Sequence, residues 1–196
     1  MNYTFMIPMA LCLAYLIGSI PTGLWLGLYF RGIDIRKTGS GNIGATNTLR
    51  SLGKVFGIIA LAFDVLKGWI AVIVIARMHP WEYLPIACGL AAILGHTFSL
   101  FVWFRGGKGV ATSAGVFIGL APSAAALAGV VFLAVTAATR MVSAGSIAAA
   151  AAMSAAVFIL PTPWPVRYFT LIVAALVILR HQSNIRRILK HEESKL

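Results

Sequence analysis

Acidic residues are scarce in this chain: its 196 residues carry 5 Asp/Glu against 16 Lys/Arg. Cysteine is scarcer still. Cys12 and Cys88 both sit inside apolar segments with no Cys/His box and no redox spacing around them, which excludes a zinc site or disulfide framework and leaves packing as their role. Linkers, low-complexity tracts and internal repeats are also missing, so one unit spanning residues 1–196 is expected. What abounds is apolar surface. Hydrophobic residues make up 60% of the chain and the mean hydropathy is +0.91, values that exclude an ordinary soluble domain. The basic excess would suit nucleic acid, but no soluble domain exists to present a basic face. In a membrane protein the same excess collects in cytoplasmic loops. The apolar N-terminal run lacks a basic leader and an A-x-A site, so it reads as a retained helix rather than a signal peptide.

Hydropathy marks spans near 5–29, 55–76, 83–103, 141–160 and 165–180. Residues 110–139 do not fit as one helix, because that length would be about 45 Å long against a hydrocarbon core of about 30 Å. Pro122 follows Gly119 within it, and proline breaks or kinks a helix. The segment is therefore expected to split into a short span, 110–120, and a full one, 123–139. Charge bias supports the split. With the N-terminus outside, the loops 31–54 and 104–109 and the C-terminal tail all lie inside, and four crossings between 109 and 181 satisfy that arrangement. Of the 16 basic residues, 13 then fall inside, Arg77 and Arg167 outside and Lys67 within a span. The expected fold class is an all-α membrane protein: a seven-transmembrane helix bundle, N-terminus outside (periplasmic), C-terminus cytoplasmic. Its polar, glycine-rich segments then converge on the cytoplasmic face.

Three segments carry the chemistry. In Gly95–Thr112, GHTFSLFVWFRGGKGVAT, a His, an Arg, a Lys and four glycines stand between apolar spans. Polar groups at bilayer depth are costly and mark functional sites. Gly106, Gly107, Gly109 and Lys108, at the start of the 110–120 helix, read as an anion cradle, since helix N-termini and glycine-rich backbone favour anions. This is not a Walker loop, because Gly109 follows Lys108. His96 lies about two turns inside its span and is either a buried structural hydrogen-bonding group or a functional one.

In Thr38–Arg50, TGSGNIGATNTLR, glycines permit tight turns, Ser40, Asn42, Thr46 and Asn47 offer polar groups, and Arg50 offers a bidentate fork suited to phosphate. The alternative is a polar loop with Arg50 as a positive-inside residue. In the tail, HQSNIRRILKHEE, Ile185, Ile188 and Leu189 form an amphipathic face, and His181 and Asn184 share a helical face at i, i+3. Asp64 and Lys67, also i, i+3 within a span, read as a mutually compensating structural pair, one that could also steady the site. Ser143 and Ser146 sit near the same membrane face, with intrahelical or interhelical hydrogen bonding or, for Ser146, ligand contact as their roles.

No H-x₄-D pair, G-x-S-x-G elbow or Asp-rich motif is present, so no protein nucleophile is evident. A transporter of phosphorylated metabolites is the rival reading. It would call for polar groups on both sides of the membrane or paired repeats, and neither is found.

With these residues in view, the chain resembles the bacterial acyl-phosphate:glycerol-3-phosphate acyltransferases. The likeness runs end to end, through Gly18–Gly23, Asp34–Arg50, Asp64–Gly68, Gly95–Thr112 and the His181/Asn184/Ile185/Arg187 tail. One departure is His191, where the pattern has a glycine. The resemblance implies an inner-membrane enzyme that acylates the sn-1 hydroxyl of glycerol 3-phosphate from a fatty acyl phosphate. It implies no cofactor and no metal, with membrane lipid as surroundings and a soluble acyl-phosphate-producing enzyme as a possible partner. It further implies catalytic roles for Ser40, Arg50, Lys108, His181 and Asn184, with Ser40, Arg50, His181 and Asn184 holding the acceptor's phosphate. Lys108, Gly106, Gly107, Gly109, Thr46 and Asn47 would hold the acyl phosphate, and Asn42, His96, Thr112 and Ser146 complete the substrate-binding set.

Overall fold

The computed structural model describes residues 5–196. These residues form helices α1 (Met6–Ser19), α2 (Thr22–Arg31), α3 (Ala45–Leu52), α4 (Lys54–Ile73), α5 (Leu84–Thr97), α6 (Val110–Leu120), α7 (Pro122–Thr139), α8 (Val142–Ile159), α9 (Trp164–Arg180) and α10 (Gln182–Leu189). No strand occurs among them. The chain divides into two compact units, the first ending at Gly119 and the second beginning at Leu120.

Four stretches are long and apolar enough to cross a membrane: Lys54–Met78, Leu84–Val102, Pro122–Thr139 and Val142–Ile159. Counting the bent pairs α1–α2 and α9–α10 as one span each raises the number to six, and the apolar α6 is shorter. The protein is a multi-pass, all-helical membrane protein. The expected split of 110–139 is present: α6 stops at Leu120, α7 starts with Pro122 in its first turn, and Ala121 between them is non-helical at φ −150°, ψ 68°. The expected continuous span 5–29 is not. It breaks at Ile20–Pro21 with a bend of 46°, because Pro21 has no N–H to continue the ladder.

In the first unit α4 shows how sequence sets orientation. Its buried residues Gly57, Ala60, Asp64, Lys67, Gly68 and Ala71 recur at helical spacing. Val55, Ile58, Leu61, Leu66 and Trp69 are exposed on its other side. In water such a face would be a liability, whereas against lipid tails it is the required surface. The helix therefore turns an ion pair inward and a hydrocarbon face outward.

Helices α1 and α5 pack closely because glycine removes side chains from the contact. A Cβ on Gly18 would strike the Ala92 backbone, and one on Gly95 would strike the Tyr15 carbonyl and, at 3.0 Å, the Ser19 nitrogen. Without a hydrophobic driving force between helices in lipid, such close approach is what holds them. Two hydrogen bonds secure the same pair of segments: the Tyr15 hydroxyl donates to the Phe98 carbonyl at 2.6 Å, and the Ser99 hydroxyl donates to the Ser19 carbonyl.

In the second unit α7 and α8 are joined by Arg140 and Met141, with Arg140 in the left-handed region at φ 59°. Small residues line the α7–α8 contact: a Cβ on Gly145 would meet Thr136 and Phe132. After α10 the chain returns to the same loop, where the Leu196 N–H donates to the Arg140 carbonyl at 2.8 Å and the Arg140 guanidinium donates to the Leu196 carbonyl at 2.8 Å.

The α1–α5 contact is open to a direct test. Gly95→Val places a branched side chain against the α1 backbone and is expected to destabilise the protein by about 1–3 kcal/mol, read as a lower Tm in detergent. An unchanged Tm would show that α1 and α5 do not depend on this close approach.

Candidate functional site

The loop before α3 is built on one side chain. Asn47, 2% exposed, donates through Nδ2 to the carbonyls of Ile35 (2.8 Å), Asn42 (2.8 Å) and Thr38 (3.2 Å), while its Oδ1 accepts from the Ser40 N–H at 2.8 Å. The amide is thereby committed to shaping residues 35–42, not offered to a ligand as the sequence suggested. Asn42 Oδ1 accepts from the Gly44 N–H at 2.9 Å, an Asx turn leading into α3. These bonds leave Ser40 and Arg50 exposed, with Thr46 half-buried on the first turn of α3. At the loop's entry Arg36 binds Asp34 through two nitrogens at 2.8 and 2.9 Å. That hydrogen bonding holds the Asp34 carboxyl at about 2, so the loop keeps a fixed ion pair throughout the physiological range.

The second loop folds back on the end of α5. The Gly107 N–H donates to the His96 carbonyl at 2.9 Å and the Gly106 N–H to the Thr97 carbonyl at 3.1 Å. Glycine is required at both places. A Cβ on Gly106 would enter those same carbonyls, and one on Gly107 would enter the His96 ring at Nε2. Gly109, at φ +80°, starts the turn into α6, and its carbonyl accepts from the Ser113 N–H at 2.8 Å. Lys108 is half-buried between these glycines. Thr97 and Ser113 flank Gly109: a Cβ there would lie 3.2 Å from Thr97 Oγ1 and 4.0 Å from Ser113 Oγ. Both hydroxyls are buried and, among the described residues, without a hydrogen-bond partner, as is Thr112. Buried unsatisfied hydroxyls are rare in native folds and ask for a ligand or an ordered water. Thr97 and Ser113 were not singled out by the sequence, although Ser113 stands four residues after Gly109 on the emerging helix.

Behind this loop lies a buried polar cluster. Lys67 Nζ is 2.8 Å from Asp64 Oδ1, 3.0 Å from the Ile20 carbonyl and 2.8 Å from His96 Nδ1. Thr22 Oγ1 donates to Asp64 at 3.4 Å. His96 is 6% exposed, with its ring inside the fold and its Nε2 edge against Gly107. A recess of about 590 Å³ also opens in this unit, lined by Asp34, Arg36, Lys37, Gly41, Val102, Trp103 and Arg105. None of the predicted catalytic side chains lines it.

In the second unit His181 and Asn184 are both buried. His181 Nδ1 lies 2.7 Å from the Val177 carbonyl. A carbonyl only accepts, so in the neutral ring the proton is on Nδ1 and Nε2 is the acceptor nitrogen. Asn184 Nδ2 donates to Glu193 Oε1 at 2.6 Å, Ser143 Oγ donates to the same oxygen at 2.7 Å, and Arg187 Nε donates to Oε2 at 2.8 Å. Glu193 is 8% exposed. Burial alone would oppose its ionisation, yet the hydrogen bonds from Arg187, Asn184 and Ser143 outweigh it and hold the carboxyl below its ordinary range. The sequence reading passed over Glu193, because an acid in a basic tail looks like a solvated charge until the chain is seen to fold back. Ser146 takes the intrahelical course, donating to the Val142 carbonyl at 2.8 Å.

Residues 8–191 match the family model described as glycerol-3-phosphate acyltransferase. A glycerol-3-phosphate acyltransferase of Trichlorobacter lovleyi is 48% identical over 182 residues, covering 93% of each chain. Among solved structures, PlsY (YgiH), an integral membrane glycerol 3-phosphate acyltransferase, is similar in its glycerol 3-phosphate form with a TM-score of 0.91. It is 36% identical, covering 97% of this chain and 95% of that one. Its lysophosphatidic acid form matches with a TM-score of 0.89, the same identity and the same coverage.

The Glu193 contacts dictate a pH dependence. A carboxyl that ionises more readily folded than unfolded adds stability above its ordinary value of 4.5 and loses it as the pH falls through the lowered folded value. Hydrogen exchange of residues 181–196 is expected to stay slow from pH 7 down through 5 and to quicken only below about 4.5. Glu193→Gln should show fast exchange already at pH 7. Slow exchange in that variant would show that the carboxylate does not hold the tail.

Proposed function

We propose, because the chain belongs to the glycerol-3-phosphate acyltransferase family, that it transfers a fatty acyl group from an acyl phosphate to the sn-1 hydroxyl of glycerol 3-phosphate. The observation that carries this reading is the loop at Gly106–Gly109: a lysine between glycines, at a helix N-terminus, beside two buried hydroxyls without a hydrogen-bond partner among the described residues. That is a cradle for a phosphate. An acyl phosphate is a mixed anhydride whose leaving group, inorganic phosphate, departs without acid assistance if its charge is met. The acceptor's hydroxyl oxygen bonds to the acyl carbon, the bond from that carbon to the phosphate oxygen breaks, and lysophosphatidic acid and phosphate leave. The hydroxyl proton goes to the departing phosphate or to Nε2 of His181.

Lys108, carried on the Gly106–Gly109 turn, holds the acyl phosphate, and Thr97 and Ser113 add donors that the sequence alone did not point to; the Gly106 and Gly107 N–H groups shape the turn by bonding the Thr97 and His96 carbonyls. Ser40 and Arg50, presented by the Asn47-braced loop, hold the phosphate of glycerol 3-phosphate. His181 and Asn184 serve the same substrate. Asn47 belongs to the supporting structure, and Ser146 meets a ligand only as an acceptor. The rate then comes from positioning and charge stabilisation. The whole chain acts as one acyltransferase domain of the bacterial inner membrane with seven crossings, N-terminus outside and C-terminus inside. Charge bias supports a cytoplasmic site, where a soluble acyl-phosphate-producing enzyme would deliver the donor.

Purified protein given palmitoyl phosphate and glycerol 3-phosphate is expected to form lysophosphatidic acid and phosphate in equal amounts, and to leave palmitoyl-CoA untouched. Lys108→Ala should cost about 10²–10³ in kcat/KM. With His181→Asn, a collapse of kcat at constant KM identifies the base, and a raised KM with kcat kept identifies a binding group. No lysophosphatidic acid from folded protein, with glycerol 3-phosphate exchanged across vesicles instead, would replace the enzyme by a transporter.

A further inference from the structure

Lys67 is buried midway along α4, and the reaction as proposed does not use it. Its ammonium group has three N–H donors, and three acceptors surround it: Asp64 Oδ1 at 2.8 Å, the Ile20 carbonyl at 3.0 Å and His96 Nδ1 at 2.8 Å. Asp64, one turn earlier on the same helix, is the counter-charge to the ammonium. Two of the three acceptors, a carboxylate and a carbonyl, can only receive protons, so the third donor is directed at the ring. His96 Nδ1 therefore accepts. Asp64 does not compete for that nitrogen, since its Oδ1 lies 3.7 Å away. A neutral imidazole with Nδ1 accepting carries its proton on Nε2.

The Nε2 edge is the one packed against Gly107, where a Cβ would enter the ring. The His96 carbonyl meanwhile receives the Gly107 N–H. Main chain and side chain of His96 thus both bear on the glycine loop, and Lys67 fixes how the ring meets it. A buried ammonium needs acceptors besides its counter-charge, and here one of them is the His96 ring. The third contact ties the ion pair to α5 and so to Gly106–Lys108.

We infer that Lys67, paired with Asp64, is a positioning residue for the acyl donor. It sets the tautomer and tilt of His96, and His96 in turn holds the Gly106–Lys108 loop in its phosphate-binding shape. His96 then acts from behind the loop rather than on the substrate itself. The inference rests on the acyl-phosphate reading for its kinetic arm, while the tautomer is measurable with no substrate present.

The experiment pairs ¹⁵N-histidine spectra with kinetics, for wild type, Asp64→Asn/Lys67→Met, His96→Gln and His96→Asn. The double variant removes both charges together, so that no unpaired charge is left buried to unfold the protein. The wild-type His96 signal, assigned by its loss in His96→Gln, is expected to show the proton on Nε2. The double variant should show a mixture of tautomers. Its KM for palmitoyl phosphate should rise tenfold or more, with kcat and the KM for glycerol 3-phosphate within threefold and the Tm within a few degrees. His96→Gln, which keeps a donor at the Nε2 reach, should retain more affinity for palmitoyl phosphate than His96→Asn.

A wild-type proton on Nδ1 would overturn the inference. So would an unchanged KM for palmitoyl phosphate in the double variant, or both KM values rising together with a lost Tm, which is the mark of a merely structural pair. Wild-type protein that shows the Nε2 tautomer but forms no lysophosphatidic acid would instead sink the reaction reading alone.

Discussion

A charge inside a membrane protein must be answered from within the fold, and Lys67 is where this chain meets that demand. Taking an ammonium out of water costs several kcal/mol unless a counter-charge and further acceptors replace the lost hydration. Asp64 one turn earlier on α4 supplies the charge. The helix break at Ile20–Pro21 supplies a carbonyl that an uninterrupted helix would have kept for its own ladder. α5 supplies the imidazole. The kink between α1 and α2, the inward face of α4 and the end of α5 are therefore solutions to one problem. The close α1–α5 packing through Gly18 and Gly95 brings the kink and the imidazole within reach of one side chain.

From that cluster outward, amide and backbone groups brace the loops that carry the polar side chains. Asn47 spends its amide on loop carbonyls, so that Ser40 and Arg50 stand on a fixed turn. His96 and Thr97 spend carbonyls on Gly106 and Gly107. In the second unit the same logic is applied to a protein anion: Glu193 is gathered by Ser143, Asn184 and Arg187, which places His181 and Asn184 on a helix whose end is tied down. A reaction whose donor is already activated needs little more than this. Rigid donors at the places where charge develops do the catalytic work.

The sequence was informative where composition leaves no choice. Spans of Leu, Ile, Val and Ala had to be helices, Pro122 had to interrupt residues 110–139, and the glycine-rich run before α6 had to be loop. It was silent where a residue's role depends on what lies across from it. Pro21 lies inside the apolar run 5–29, and only the packed structure shows that its break exposes a carbonyl for Lys67. Asn47 looks like a ligand donor in a string of small polar residues, yet tertiary contacts take all of its amide capacity. Glu193 looks solvated, and a chain reversal buries it. Asp64 and Lys67 were legible as a pair from their i, i+3 spacing, whereas the third partner, His96, is 29 residues away in sequence and no local pattern reaches it.

The central claim is that the protein positions two reactants and makes no covalent bond to the acyl group. The direct measurement is a rapid-quench trial with radiolabelled palmitoyl phosphate and no acceptor, followed by denaturation and counting of protein-bound label. No label above background is expected, even while the same preparation turns over once glycerol 3-phosphate is added. Label approaching one acyl group per chain, on Ser40 or any other side chain, would contradict it.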